Sequence, residues 1–461
     1  MKYTKFTSAD KKAYYKRMEE ITQEFNANGK MTVLLVTDNF YPVVDGVLSV
    51  VDNYARRLSG RVNVMVCAPV HRWNVPDVPY PVLYCDSMYI HPIRYDYSRA
   101  SQDRKFRGLL NKLRVDVIHI HSPYFTGRYM VDFANKNNIP VISTFHTQYR
   151  QDLKRVFKMD TITDTVLDVL MKVFYMSDKV LTMNTATLAT LRSYGFDGDA
   201  AILPNGTDMV FDTDKETLLD IAREKFSLAD GETVFLFVGR LIKPKNIYLI
   251  LDALKILSDS GQNFKMIYVG DGDEKSRLRA AIKAYGLEHK VSAVGKILDK
   301  TLLKALYCRA DLFLFPSVYD SDGIVKYEAA AFGTPSLLLA GSNAACGITD
   351  GVNGFLCGPS PKNMAEKIKS LLADKELLKT VGDGARNTIY RQWDDIVDEL
   401  YAIYCEVLAK TKANPIAKGK KNMEAALKYK YKSVRRSRKK LKFIKGARKK
   451  IQKKQQKKSG K

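Results

Sequence analysis

Short apolar segments recur along the chain and alternate with longer helical stretches. In the first half, the segments predicted as buried strands are Thr32–Thr37, Val62–Cys67, Val115–His121, Val141–Phe145 and Lys179–Met183. The stretches Val47–Leu58 and Phe125–Asn135, which lie between them, are predicted as helices. Strand–helix alternation at this spacing indicates a doubly wound parallel sheet.

The pattern starts again after Pro204-Asn205-Gly206-Thr207-Asp208, whose turn-forming residues predict a hinge. The second set of predicted strands is Thr233–Val238, Phe264–Val269, Val291–Val294, Asp311–Phe315 and Thr334–Leu339. Two similar α/β halves predict two Rossmann-like domains, an N-terminal one at 31–205 and a C-terminal one at 206–390. They would face each other across a cleft, with ligands at the carboxyl ends of the strands.

Three further segments flank these domains. Residues 1–30 predict a helix of mixed charge that ends at Asn28-Gly29. Residues 391–410 have apolar positions at helical spacing and predict an amphipathic helix that closes the folded part. Residues 411–461 hold 22 of the 75 lysine and arginine residues and one acid, Glu424, in a chain of net charge +25. This last segment is therefore a polybasic tail on an otherwise nearly balanced protein.

Composition narrows the class of protein. A hydrophobic share of 46% allows packed interiors and excludes global disorder. No apolar run approaches the roughly 18–20 residues of a membrane-spanning helix, and the first residues lack the apolar core of a secretory signal. The six cysteines show no CxxC pair and no zinc spacing, so we expect reduced thiols in a cytoplasmic protein.

The stretch that follows the predicted strand Asp311–Phe315 has the chemistry of a phosphate site. A short acidic loop, residues 320–323, leads into a helix that starts near Ile324. We expect the backbone N–H groups of Gly323, Ile324 and Val325 to point outward at the positive end of this helix. An anionic phosphate group would bind there.

Two cations are placed at the same cleft by the second set of strands. Arg240 follows a predicted strand directly, and Lys245 comes five residues later in a loop. Two fixed cations beside a helix N-terminus form a diphosphate clamp, which can stabilise a nucleoside diphosphate as it leaves. Asp-x-Asp motifs at 271–273 and 320–322 match a metal motif, but short motifs match often by chance, so we predict no metal and no cofactor.

These residues carry a resemblance to a known family. The pattern VGR-x4-K at 238–245 and the D-x7-E motif ending at Glu328 resemble the C-terminal domain of retaining glycosyltransferases of family four, which have the GT-B fold. The N-terminal half is similar in the loop 41–47, in His119-x-His121-Ser122-Pro123 and in 144–147. The branch that glucosylates diacylglycerol looks most alike.

The resemblance implies a role for each candidate residue. The diphosphate would be held by Arg240 and Lys245, the ribose by Glu328, the sugar hydroxyls by Asp320 and the reacting sugar by His146, while Asp45 and Gly46 would form the phosphate or acceptor loop. Of His119 and His121, one is interpreted as a satisfied core histidine. Asp320 stands where the family usually has Glu, a side chain longer by about 1.5 Å, which bears on the identity of the donor sugar.

The function that follows is metal-independent transfer of a hexose, with UDP-glucose as co-substrate, to a membrane lipid such as diacylglycerol. Alternatives within the class are a mannosyltransferase or an enzyme of surface-polysaccharide synthesis. A non-catalytic partner subunit that kept the fold is the alternative from another class. The tail at 411–461 would hold the protein on an anionic membrane at its cytoplasmic face, since each cation there contributes on the order of 1 kcal/mol. Nucleic acid would attract the same charges, but the enzyme-like body favours the membrane.

Overall fold

The computed structural model describes residues 2–43, 45–90, 95–414 and 424. Two parallel sheets dominate these residues, one of seven strands in the first half and one of six in the second. Every predicted strand is present, with ends within two residues of the prediction. The two-domain α/β architecture predicted from the alternation is therefore confirmed.

The N-terminal half contains most of the chain's short strands. Its elements are β1 (Tyr3–Lys5), α1 (Ser8–Ala27), β2 (Thr32–Val36), α2 (Gly46–Leu58), β3 (Asn63–Pro69), β4 (Asn74–Pro76), β5 (Val82–Cys85), β6 (Ser87–Ile90), β7 (Tyr95–Ser98), α3 (Arg104–Lys112), β8 (Val117–Ile120), α4 (Phe125–Lys136), β9 (Val141–Phe145), α5 (Tyr149–Phe157), α6 (Asp160–Tyr175), β10 (Lys179–Thr182), α7 (Thr185–Ser193) and β11 (Ala200–Ile202). The seven-stranded sheet has the order β11-β10-β9-β8-β2-β3-β5.

The C-terminal half is a more regular alternation. Its elements are α8 (Lys215–Phe226), β12 (Val234–Val238), α9 (Ile247–Asp259), β13 (Lys265–Val269), α10 (Lys275–Ala284), β14 (Val291–Gly295), α11 (Lys300–Arg309), β15 (Leu312–Phe315), α12 (Val325–Ala331), β16 (Ser336–Leu339), β17 (Phe355–Cys357), α13 (Pro361–Leu372), α14 (Lys375–Thr388) and α15 (Trp393–Ala413). The six-stranded sheet has the order β14-β13-β12-β15-β16-β17.

The order of strands in each sheet fixes where a ligand can bind. Chain order reverses at β2, which lies between β8 and β3, and at β12, which lies between β13 and β15. Loops that leave the strands at such switch points diverge and open a crevice at the carboxyl ends. The residues that follow β2, β8 and β9 line one wall of a cleft, and those that follow β12 and β15 line the other.

The last helix returns to the first domain. Trp393, Ile396, Leu400 and Tyr404 of α15 are buried in one apolar cluster with residues of α2, β2 and β3. The predicted helix at 391–410 is thus present, three residues longer at its C-terminal end, and it packs on the N-terminal sheet. The returning chain passes the outgoing linker so closely that a Cβ on Gly206 would lie 2.7 Å from the backbone N of Trp393.

Predictions were also made for the two ends of the chain, an N-terminal helix and a polybasic tail. The N-terminal helix predicted at residues 1–30 is present as α1 but begins only at Ser8, because Tyr3–Lys5 form strand β1 paired with β4. Gly29 after the helix has φ +72, which suits a helix stop at glycine. Of the polybasic tail predicted at 411–461, residues 411–413 belong to α15, and the segment from 415 onward lies outside the described residues except for Glu424. None of the described helices combines the length and the apolar character that crossing a bilayer requires.

Candidate active site

A cleft of about 450 Å³ separates the two domains. Of the ten residues predicted for the site, nine line it: Asp45, Gly46, His146, Arg240, Lys245, Asp320, Gly323, Ile324 and Val325. Glu328 is the exception, because it lies one turn further along α12. The structure therefore brings together residues from positions 45 to 325 of the chain at one place.

Glycines hold the arginine loop in position. β12 ends at Val238, and Gly239 and Arg240 follow at the cleft. A Cβ on Gly270, after the neighbouring strand β13, would lie 1.8 Å from the carbonyl oxygen of Gly239. A Cβ on Gly272 would lie 2.4 Å from the carbonyl oxygen of Leu241. Only glycine permits this approach, so the motif Gly270-x-Gly272 serves to support the loop that carries Arg240.

The two predicted cations differ in their surroundings. The side chain of Arg240 forms no ion pair among the described residues, and the residue is exposed at the cleft. Lys245 is buried, and its ammonium group donates to both carboxylate oxygens of Asp320, at 2.6 and 2.5 Å. Burial lowers the pKa of Lys245, and the carboxylate of Asp320 opposes that shift. Lys245 and Asp320 were expected to contact the donor separately, whereas they form one partly buried ion pair.

The loop 320–323 joins this pair to α12. Gly323 has φ +75, and a Cβ there would meet the ring of Phe315 at 3.0 Å. The backbone N–H groups of Gly323, Ile324 and Val325 have no hydrogen-bond acceptor within the described part of the chain. Three donors thus border the cleft on the same side as the cations. Their placement agrees with the predicted phosphate site, and phosphate binding itself stays a prediction.

Glu328 is not among the residues that line the cleft, and its carboxylate is hydrogen-bonded within the C-terminal domain. The hydroxyl of Tyr307 donates to its Oε2 at 2.7 Å. Burial raises the pKa of Glu328, the bond from Tyr307 opposes the shift, and Asp208 and Lys300 also act on the carboxyl through space. The predicted contact with a ribose stays a prediction, and the observed partner of the carboxylate is Tyr307.

On the opposite wall, Asp45 caps helix α2. Its Oδ1 accepts the backbone N–H of Leu48 at 2.8 Å, and its Oδ2 accepts the side-chain amide of Asn39 at 2.7 Å. A Cβ on Gly46 would meet no atom within 4 Å, so the space in front of this residue is open to a ligand. Asp45 therefore fixes the helix start, and Gly46 leaves room beside it.

The histidines divide into a core residue and a pair. His119 uses both ring nitrogens within the protein, Nδ1 with the hydroxyl of Tyr404 and Nε2 with that of Thr144, each at 2.7 Å. Nδ1 of His121 shares a hydrogen bond of 2.9 Å with Nε2 of His146. Burial lowers the pKa of His146 to about 3, so its ring is neutral near pH 7. His146 therefore presents a neutral imidazole to the cleft.

Three carboxylates that line the cleft, Asp38, Asp152 and Asp322, were not predicted as site residues. Asp38 follows β2 and accepts the backbone N–H groups of Tyr124, Thr126 and Gly127 at the start of α4. Burial raises its pKa to about 6, against the effect of these bonds. The position of Asp38 directly after the first apolar strand could have suggested it, because ligand-facing residues follow strand ends at a switch point.

The second is Asp152 of α5, which bridges the two domains. It accepts a hydrogen bond from the hydroxyl of Tyr319 in the C-terminal domain, and the guanidinium of Arg155 lies 4.1 Å from the ring of that tyrosine. Burial raises the pKa of Asp152 to about 6, while Arg155 and Arg240 oppose the shift. No sequence signal marks this residue, since it lies inside a helix and its partner is 167 residues away.

A buried polar cluster closes the floor of the cleft. Asp322 accepts from the side-chain amides of Asn184 at 3.1 Å and Asn205 at 2.8 Å, and from the hydroxyl of Tyr327 at 2.9 Å. The ammonium of Lys326 lies 3.2 Å from the same carboxylate. Asn184 belongs to the first domain and Asn205 to the linker, so Asp322 ties both to the C-terminal domain. Over the described residues, no three His, Cys, Asp or Glu side chains are arranged to hold a metal ion.

Each of the two domains that form the cleft matches a known protein family. The family described as Glycosyltransferase Family 4 matches residues 44–211, and the family described as Glycosyl transferases group 1 matches residues 220–388. The chain thus contains the paired domains of the GT-B glycosyltransferases and is a nucleotide-sugar-dependent transferase. The resemblance described from the motifs is confirmed.

Individual proteins extend this result. An uncharacterised glycosyltransferase of Methanocaldococcus jannaschii is 28% identical over 335 residues, covering 68% of this chain and 81% of the relative. The alpha-monoglucosyldiacylglycerol synthase of Streptococcus pneumoniae is 25% identical over 329 residues, covering 66% and 70%. The crystal structure of Anabaena HepE in complex with UDP and glucose superposes with a TM-score of 0.64 at 18% identity, covering 81% of this chain and 99% of HepE. This last likeness confirms the GT-B fold.

Proposed function

We propose that the protein transfers glucose from UDP-glucose, with retention of configuration and without a metal ion, to a membrane lipid such as diacylglycerol. The observation that carries the proposal is the convergence of Arg240, Lys245 and three unsatisfied backbone N–H groups on one wall of the cleft. The name of the pneumococcal relative supports the glucosyl donor and the lipid acceptor. HepE, which has the same fold, holds UDP and glucose.

The chemistry follows from the charges. As the sugar–phosphate bond breaks, negative charge develops on the leaving diphosphate, and fixed donors aimed at that charge lower the barrier. Arg240 has no ion-pair partner among the described residues, so its guanidinium can contact the diphosphate directly. Lys245 would share its ammonium between Asp320 and the phosphate. The acceptor hydroxyl attacks the face that the diphosphate leaves, and the leaving phosphate takes its proton.

His146 would contact the reacting sugar as a neutral hydrogen-bonding group. Its Nε2 is engaged with His121, and its Nδ1 has no partner among the residues described here. Asp320, held by Lys245, would direct a carboxylate oxygen toward sugar hydroxyls, and Glu328 would reach the ribose after exchanging its bond to Tyr307. The polybasic segment 411–461 would keep the enzyme at the cytoplasmic face of an anionic membrane.

The experiment uses a panel of nucleotide sugars with diacylglycerol in vesicles, and the anomeric configuration of the product is read by NMR. We expect glucose transfer from UDP-glucose, an α-linked product, and full activity in excess EDTA. Arg240→Ala should lower kcat by about 10²–10³-fold, the usual cost of one lost transition-state donor. Lys243→Ala is the matched control, because Lys243 is exposed in the same turn but does not line the cleft.

Each part of the proposed function can be contradicted by one result of this experiment. Transfer from GDP-mannose instead would establish the mannosyl alternative, and transfer to a glycan alone would establish the polysaccharide alternative. Loss of activity in EDTA that manganese restores would overturn the metal-independent mechanism. A normal rate in Arg240→Ala would remove the diphosphate clamp, and no turnover with any donor would favour a non-catalytic subunit.

A further inference from the structure

The turn between α5 and α6 exposes four large apolar side chains within seven residues. The exposed fractions are 54% for Val156, 36% for Phe157, 55% for Met159 and 40% for Ile162. Single exposed apolar residues are ordinary on protein surfaces, but a contiguous patch marks an interaction site. We call residues 156–162 the apolar corner.

The corner is a fixed part of the fold. Tyr149 and Leu153 of α5 and Leu167 and Leu170 of α6 are buried together in one cluster under the turn. Lys158, with φ +54, ends α5 in the left-handed conformation and turns the chain into α6. The two helices are therefore anchored in a core that they share with β9, β10 and α7, and none of the four apolar side chains of the corner belongs to it.

Cations surround the apolar side chains. Lys154, Arg155 and Lys158 lie in or beside the corner and are exposed. Lys154 shares the carboxylate of Asp160, which lies in the corner, with Arg150, at 3.2 and 3.4 Å. Arg155 pairs with Asp152 at 3.8 Å, whereas Lys158 forms no ion pair with any described residue. Exposed apolar side chains with cations beside them suit the interface of a bilayer, where the apolar side chains enter the acyl boundary and the cations meet lipid phosphates.

The corner is also adjacent to the cleft. Asp152, which lines the cleft, lies one helical turn before Val156, a distance of about 5–6 Å along α5. Arg155 stands between them and stacks on Tyr319 of the opposite domain. A bilayer in contact with the corner would therefore lie at the edge of the cleft, where a lipid acceptor needs to enter.

We propose that the apolar corner inserts into the interface of an anionic bilayer and sets the cleft against it. This is a second membrane contact, distinct from the basic segment 411–461, and it is apolar in character. Its role in acceptor delivery rests on the proposed lipid acceptor, but the contact itself does not. The occupant is a bilayer because exposed apolar side chains and an unpaired cation, Lys158, lie together at this turn.

The test compares the full-length protein with the variant Val156→Ser/Phe157→Ser/Met159→Ser. The control is Leu298→Ser/Val352→Ser, at apolar positions of the C-terminal domain that are 78% and 56% exposed. Sedimentation with vesicles of phosphatidylcholine and phosphatidylglycerol is measured at about 0.05 M and 1 M salt, because 1 M salt shortens the Debye length to about 3 Å and screens the basic tail. At 1 M salt the corner variant should bind at least about tenfold more weakly than wild type, and the control should bind as wild type does.

A second measurement covers the case in which the triple variant misfolds. The variant Phe157→Trp should show a blue-shifted emission and quenching by brominated lipid when vesicles are added, and Leu298→Trp should show neither. Wild-type binding by the corner variant at 1 M salt, or an emission of the Phe157→Trp variant that vesicles do not shift, would overturn the proposal.

The membrane contact and the proposed function can be contradicted independently of each other. Vesicle binding needs neither donor nor acceptor, whereas transfer to short-chain diacylglycerol dispersed in detergent needs no vesicle. Binding through the corner without such transfer would contradict the lipid acceptor alone. Transfer without binding through the corner would contradict the membrane contact alone.

Discussion

Burial shifts the pKa of charged or titratable side chains in the cleft, among them Asp38, His146, Asp152 and Lys245, and His146 is the clearest case. Burial lowers its pKa to about 3, below the usual value near 6.5, so the charged form appears only as the pH falls through about 3. Its hydrogen bond to His121 needs one ring to donate and the other to accept, which a neutral pair satisfies. We therefore expect His146 to act by hydrogen bonding and not by transferring a proton near pH 7.

The loss of activity on removing this imidazole should therefore not depend on pH. His146→Ala should lower kcat by about 10²-fold, the cost of one transition-state hydrogen bond, and by the same factor at every pH from about 5.5 to 9. The measurement is the ratio of wild-type to variant kcat across that range. A ratio that changes near pH 6–7 would mean that the imidazole titrates there and acts as an acid or base.

The sequence was enough to predict that the site residues share one cleft. It did not predict which of their side chains contact each other. Arg240, Asp320 and His146 each follow an apolar strand, and strand ends of a parallel sheet meet at one edge. The Lys245–Asp320 ion pair joins two loops 75 residues apart, and the Asp152–Tyr319 bond joins two domains. Such contacts depend on how the domains and loops are set against each other, which local patterns do not encode.

At the scale of elements, the paired strands β12 and β13 are followed by two glycines, Gly239 and Gly270, that lie in close contact. Gly270 has φ +140, and its Cα faces the carbonyl of Gly239, the residue before Arg240. An added Cβ would lie 1.8 Å from that oxygen, so one of the two loops would have to move. Arg240 lies on one of these two loops, directly after Gly239.

Gly270→Ala should therefore reduce donor affinity at least about tenfold and lower the thermal midpoint by several degrees. Gly261→Ala is the control, because Gly261 also has a positive φ of +79 but faces open space. It should show only the strain of the backbone conformation, about 1 kcal/mol. Donor binding is measured by calorimetry with UDP, and unfolding by circular dichroism. Equal effects of the two substitutions would contradict the close-contact explanation.

The elements themselves were predictable to different degrees. The strands of both parallel sheet centres are buried on both faces, so they are continuous apolar runs that the sequence shows directly. The strands β4, β6 and β7 are short, mixed in polarity and paired antiparallel at the edge of the domain, and none was predicted. Helix α15 was predicted as a closing helix, but its position on the N-terminal sheet depends on packing against elements from the other end of the chain.

At the scale of the whole molecule, the two domains are joined by the linker around Gly206, by α15, by the buried cluster at Asp322 and by the hydrogen bond from Tyr319 to Asp152. The first two are backbone connections that permit rotation, whereas the third fixes one orientation through directed hydrogen bonds. Asp322 is also one residue from Gly323, whose backbone faces the predicted phosphate site. A phosphate that moved this loop would therefore also act on the contacts to Asn184 and Asn205.

Asp322→Ala should destabilise the protein by about 3–5 kcal/mol, because it leaves the ammonium of Lys326 buried without its carboxylate. The double variant Asp322→Ala/Lys326→Met should recover part of this loss, since an apolar side chain needs no partner. Both variants lack the acceptor of Asn184 and Asn205, so both should show faster proteolysis of the linker at 203–209. The two readouts separate the ion pair from the domain contact. If the double variant is as resistant to proteolysis as wild type, Asp322 contributes only to the stability of its own domain, and the domains are held together by α15, the linker and the contacts of Tyr319 with Asp152 and Arg155.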